Sequence, residues 1–203
     1  MTDIGSRRGV LALCGLMIAA ALAGCSGESA TNASTATESS GDFDFAGNTP
    51  LGEVIPPAER ESAPTFTGEL LDGTAFESAE LAGEITVLNF WGSWCAPCRV
   101  ETPEFQAVYA DVADSGVEFL GVDVKDNRQM AQAFVESVGA EYPSLFDPRG
   151  EVAMAFRGFP ANVVPSTLII DPAGKVAAVY VAVVPEDDLR RAIDRLLAEE
   201  TPR

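Results

Sequence analysis

The chain has 203 residues, which at roughly 100–200 residues per domain allows one domain with attachments. Its 13 Lys and Arg against 31 Asp and Glu give a formal charge of −18, it contains no His, and 47% of its residues are hydrophobic, too many for a chain disordered throughout. Such a polyanion lacks the clustered cations that phosphate binding requires, so nucleic-acid binding is excluded, and the missing His excludes Ser-His-Asp or Cys-His catalysis and His-ligated zinc or haem.

Residues 1–25 read as an export signal. Arg7 and Arg8 make a positive start, and an uncharged apolar run follows over residues 10–23. At 14 residues it is short for a membrane-spanning helix, which needs about 20. The run ends in Leu22-Ala23-Gly24-Cys25, which resembles the bacterial lipobox, whose Cys takes a lipid and becomes the new N-terminus. A plain signal peptide or an uncleaved anchor is the alternative. The stretch around Arg7-Arg8 also resembles a twin-arginine signal. Cleavage before Cys25 would remove Arg7, Arg8 and Asp3, a net +1, and leave −19. Anionic lipid repels such a body, so the lipid on Cys25 would have to hold it at the membrane. Residues 26–50 are rich in Ser, Thr, Ala, Gly and acid and read as a flexible tether with an r.m.s. reach of roughly 25–30 Å. Whether Asp42-Phe43-Asp44-Phe45 docks on the domain is left open.

Residues 51–203 form the expected globular part. Short extended pieces at 65–67 and 74–76 flank Asp72-Gly73, a turn signal, and predict a small hairpin. Residues 85–91 are a near-continuous apolar run with β-branched residues, the pattern of a buried central strand. From Cys98 to about Asp114 the spacing predicts a helix with Phe105, Val108, Tyr109 and Val112 on one face and Pro103 as a kink. A second buried strand is predicted over 117–124. A helix over 127–138 would bury Met130, Phe134, Val135 and Val138. A short extended piece at 143–146 and a short helix at 152–156 follow. Residues 166–170 and 176–183 read as strands around the turn Asp171-Pro172-Ala173-Gly174. A last helix over 185–200 has Pro at its first turn, acids early, and Leu189, Ile193, Leu196 and Leu197 for packing. The order implies an α/β fold, a central mixed sheet flanked by helices.

Trp94-Cys95-Ala96-Pro97-Cys98 lies between the first buried strand and a helix. With Cys14 in the signal and Cys25 lipidated, these are the two remaining thiols. In an exported protein paired Cys form disulfides, but a loop this small stabilises little through chain entropy, so the pair is better read as reactive. Cys95 is expected exposed at the N-terminus of the helix, where free N–H groups and the dipole favour the thiolate, the attacking species. Cys98, one turn in, would resolve the mixed disulfide formed by Cys95. Pro97, which lacks an N–H, stiffens the loop. A structural disulfide is the weaker alternative, and zinc would need four ligands where the mature chain offers one Cys pair.

The run from Leu88 to Pro103, Leu-Asn-Phe-Trp-Gly-Ser-Trp-Cys-Ala-Pro-Cys-Arg-Val-Glu-Thr-Pro, resembles the active site of thioredoxin-fold proteins, and within them the TlpA/ResA-like exported thiol-disulfide oxidoreductases. The similarity extends over about residues 63–200, with Ala63-Pro64-Thr65-Phe66 and the Asp72-Gly73 turn similar to that family's additional N-terminal β-hairpin. The resemblance implies a thioredoxin-like fold and a cis proline at Pro165, within Val164-Pro165-Ser166-Thr167, facing the active Cys. That proline would present the backbone of Val164 to an extended substrate, with Trp94 and Pro97 completing the binding surface. Thioredoxin itself has a buried Asp where this chain has Asn89, which cannot take a proton. ResA-like members carry a Glu three residues after the second Cys, here Glu101, so the resemblance makes Glu101 the acid/base partner of Cys98. A solvated helix Glu is the alternative. Peroxiredoxins have a Pro-x-x-x-Thr-x-x-Cys run; Leu88 and Gly92 stand at the Pro and Thr positions here, which argues against peroxidase activity.

The resemblance implies a membrane-tethered disulfide reductase on the outer face of the cytoplasmic membrane. Its substrate would be apocytochrome c, and a CcdA-type membrane electron donor would restore its dithiol. No bound cofactor or metal is implied, since the Cys95–Cys98 pair carries the electrons. An oxidase or isomerase for secreted proteins is the second reading, and a non-enzymatic lipoprotein binding module is the reading from another class.

Overall fold

The computed structural model describes residues 42–160 and 163–200. The signal, the lipobox with Cys25 and the tether as far as residue 41 lie outside the described residues. A two-stranded antiparallel hairpin pairs β1 (Thr67–Glu69) with β2 (Ala75–Glu77) around the Asp72-Gly73 turn. There the Asp72 carboxylate accepts from the Thr74 N–H at 2.8 Å. The central sheet contains β3 (Ile85–Trp91), β4 (Val117–Val124), β5 (Ser144–Asp147), β6 (Ser166–Ile170) and β7 (Val176–Tyr180) in the order β5-β4-β3-β6-β7. The β3–β4 and β4–β5 pairs are parallel, and the β3–β6 and β6–β7 pairs are antiparallel. Parallel pairing needs crossovers, which α1 (Cys98–Val112) and α2 (Arg128–Val138) supply; α3 (Glu151–Ala155) precedes β6, and α4 (Glu186–Glu200) closes the chain.

Strand alternation divides the core into two layers. On one face Val87, Phe119 and Ile169 meet Phe105 and Val108 of α1 and Leu189, Ile193 and Leu196 of α4. On the other, Leu88, Phe90, Leu120 and Leu168 pack with Val152 and Ala153 of α3 and with Phe66 and Phe76 of the hairpin region. Both faces of β3 and β4 are covered, which is why their sequences are apolar runs without alternation.

The strands β3, β4 and β6 have the predicted bounds, and several other elements differ. The final strand stops at Tyr180 instead of 183, because the chain turns away and the Val184 N–H goes to the Glu101 side chain. Met130 of the expected α2 stripe is exposed, and Ala131 is buried beside Phe134 in its place. In α2 the side of Ala131 and Phe134 faces the sheet, which rotates Met130 to solvent. Pro103 lies inside α1 and does not end it. The packed body also takes in residues 42–50, grouped by composition with the tether. Phe43 is buried against Phe156 with ring centroids 6.1 Å apart, and its N–H donates to the Ser62 carbonyl at 2.8 Å.

Candidate active site

The loop from Gly92 to Pro97 carries the chain from the end of β3 into α1. Cys95 and Cys98 form a disulfide with a Cα–Cα distance of 5.3 Å. Cys98 is the first helical residue and Pro97 its N-cap. Cys95 therefore sits just ahead of the helix, as a helix beginning at Cys98 implies. The helix still acts on it, because the Cys98 N–H, an end group without an intrahelical partner, points at Cys95 Sγ at 3.2 Å. The expectation that Cys95 is exposed is corrected: it is 3% exposed, and it shares an apolar cluster with Trp91, Cys98, Ala131 and Phe134. Trp91 and Phe134 stack at 4.8 Å, and this aromatic layer comes from β3 and α2, elements that only the fold brings to the pair.

Trp94 is 53% exposed beside the disulfide, its indole N–H donating to the Val124 carbonyl at 3.3 Å. Pro97 is exposed, and the Val164–Pro165 peptide bond is cis, as the resemblance implied. Pro165 itself is buried at the entry to β6, and Val164 packs against the cluster that holds the two cysteines. The structure thus brings Val164 against the cluster that holds Cys95 and Cys98, with Trp94 and Pro97 exposed in the same loop as Cys95.

Glu101 lies one turn after Cys98 on the same helix and is fully buried, not solvated. Its Oε2 accepts from Asn89 Nδ2 at 3.0 Å and its Oε1 from the Val184 N–H at 2.8 Å. Burial raises its pKa to about 7, against the two hydrogen bonds, which favour the charged form, and with the nearby charge of Glu104 adding to the rise. A carboxyl that titrates near neutrality can both take and return a proton there.

The supporting contacts were not foreseen from the sequence. The Ser93 N–H donates to Asp126 Oδ2 at 2.6 Å, Arg99 Nη2 donates to the Ser93 carbonyl at 2.8 Å, and the Arg99 guanidinium lies 5.2 Å from the centre of the Phe134 ring. These contacts fix the loop ahead of Cys95 from two sides. Asp126 carried only one local signal, its place just after an apolar run.

A buried redox-ready Cys pair, a cis proline and a helix carboxylate on a five-stranded mixed sheet describe a class, and comparison with known proteins fixes it. The sequence profile of the AhpC/TSA family matches residues 60–179. The chain belongs to the AhpC/TSA family. It is a thiol-disulfide oxidoreductase with a thioredoxin-like fold. The oxidoreductase is 31% identical over 144 residues to the thiol-disulfide oxidoreductase ResA of Bacillus subtilis, covering 71% of this chain and 79% of that one. Among solved structures, a DsbF homologue from Corynebacterium diphtheriae superposes with a TM-score of 0.72 at 35% identity, covering 77% of this chain and all of that one. A secreted thiol-disulfide isomerase from Corynebacterium glutamicum gives 0.72 at 31% identity, covering 77% of this chain and 98% of that one.

Proposed function

We propose that this oxidoreductase works outside the cytoplasm, held to the membrane by lipid on Cys25, and reduces the Cys-x-x-Cys-His disulfide of apocytochrome c. The observation that carries the exchange mechanism is the buried carboxyl of Glu101 one turn from Cys98, placed to take a proton from the resolving thiol. In the reduced protein the Cys95 thiolate attacks one sulfur of the substrate disulfide, and the other leaves as a thiolate. Cys98 then gives its proton to Glu101 and attacks Cys95 Sγ, which releases the second substrate sulfur. Two electrons pass to the substrate, which becomes a dithiol, and the protein is left with the Cys95–Cys98 disulfide. A membrane dithiol donor of CcdA type restores it. The likeness to ResA supports this reading, and the likeness to a secreted isomerase supports export. The apolar rim of Trp94 and Val164 suits an extended peptide entering beside Pro165.

The test is the full-length Cys98→Ser protein, whose Cys95 should accumulate mixed disulfides with c-type cytochrome precursors. A trap filled instead with other secreted proteins overturns the substrate assignment. A potential of the Cys95–Cys98 couple as high as those of strong oxidants, near about −120 mV, overturns the direction. The second reading, an oxidase or isomerase for secreted proteins, is favoured by the structural likeness to the DsbF homologue and the isomerase. A non-enzymatic binding module would keep its role after replacement of both Cys95 and Cys98 by Ser.

A further inference from the structure

Asn89 is buried in β3, between Gly121 of β4 and Thr167 of β6 in the ladder. Its amide nitrogen has two protons, and both are given away inside the protein: one to Glu101 Oε2 at 3.0 Å, the other to Thr167 Oγ1 at 3.0 Å. Thr167 follows Pro165 by two residues, so a single side chain links the strand that carries the cis proline to the helix that carries Cys98. Each oxygen of Glu101 then has one neutral donor, Asn89 on one side and the Val184 N–H on the other. Neutral donors stabilise the carboxylate without adding a second titrating group. A carboxylic acid in place of this amide would set two acids at hydrogen-bond distance and couple their protons.

We infer that Asn89 is a positioning residue for disulfide exchange: its amide holds the Glu101 carboxylate one turn from Cys98 and sets the pH at which that carboxylate can accept the Cys98 proton. The inference rests on the reading of Glu101 as the proton acceptor. The other titratable groups acting on Glu101 are Glu104, on the same helix, and Tyr142, just before β5, whose buried hydroxyl stays neutral throughout the relevant range. Substitution at Asn89 alters neither.

The experiment follows the rate at which the full-length reduced protein reduces a synthetic Cys-x-x-Cys peptide disulfide, from about pH 5 to about pH 10. The wild-type rate should rise along an acid limb as Glu101 ionises. In Asn89→Leu the carboxylate loses a donor, so the limb should move up by about one pH unit, with a rate about fivefold lower at neutral pH that recovers at alkaline pH. Asn89→Asp, closer in size, is measured in parallel and decides the matter if Asn89→Leu does not fold; its limb should also move up and broaden. In Glu101→Gln the Glu101 part of the limb should vanish, leaving only the rise set by ionisation of the Cys95 thiol, and Asn89→Leu added to it should change nothing further. A purely structural Asn89 would lower the rate at every pH without moving the limb, and a limb that stays in place in the folded Asn89 variants overturns the inference. If instead Glu101→Gln keeps the wild-type limb, the proton-acceptor reading of Glu101 is what fails.

Discussion

Asp123 is the residue whose surroundings least match its charge. It lies near the end of β4 opposite Trp91, fully buried, and neither carboxylate oxygen has a hydrogen-bond partner among the described residues. The neighbouring group is the acceptor Asp126, and two carboxylates can meet only through a shared proton. Burial, with Asp126 and Asp147 adding to it, raises the Asp123 pKa to about 8, against the attraction of Arg128. The sign follows from linkage. The unfolded chain releases this proton near its ordinary value of about 4 and the folded one near 8, so between them the folded state holds more protons and stability falls as pH rises. Glu101, raised to about 7, acts in the same direction over a narrower window. Asp123→Asn should therefore stabilise the protein at neutral pH by about 1–3 kcal/mol and flatten the decline of stability between about pH 5 and about pH 8, measured by urea unfolding. Loss of stability at both ends of that range would show that the shared proton contributes more than the burial costs. In the sequence Asp123 was one polar letter inside Val-Asp-Val, and nothing local distinguished it from a solvated strand residue.

Among the elements, the segment ahead of the hairpin is held by Arg60. Its guanidinium is buried, donating to the Ile55 carbonyl at 2.8 Å and pairing with Asp171 at 3.1 Å and Glu199 at 2.7 Å. One side chain thus joins the N-terminal segment, the β6–β7 turn and the end of α4. Asp171 also caps its own turn, accepting from the Lys175 N–H at 2.8 Å. Removing Arg60 leaves the buried Asp171 carboxylate without its cation, so Arg60→Ala should cost about 3–5 kcal/mol, seen as a lower denaturant midpoint. A cost below about 1 kcal/mol would place this cluster with surface ion pairs. Element type was legible where a run was long and apolar, as in β3 and β4, or periodic, as in α4. The α2 stripe was misread at Met130, since the side of an amphipathic helix that packs is chosen by the sheet beneath it.

At the scale of the molecule, the apolar core extends across the boundary that composition suggested. Phe43 sits within a Ser- and acid-rich stretch, yet it is buried against Phe156, and Phe45 packs edge-on to Phe159 with centroids 6.0 Å apart. Phe43→Ala in the full-length protein should therefore cost about 3–5 kcal/mol in chemical unfolding, whereas a change near zero would mean that this segment adds nothing to the fold. Taken alone, the sequence determined the chemistry: two thiols three residues apart at a strand–helix junction, no His, and buried strands whose composition declares them. Those are local properties, set by side chains a few residues apart and by the period of the backbone. Only the tertiary structure decided the surroundings of that chemistry: the burial of Cys95 with Trp91 and Phe134, the Glu101–Asn89–Thr167 link, the buried carboxyl of Asp123 beside Asp126 and the Arg60 cluster. Each joins residues whose proximity comes from strand order and ladder register, and no window of sequence contains that information.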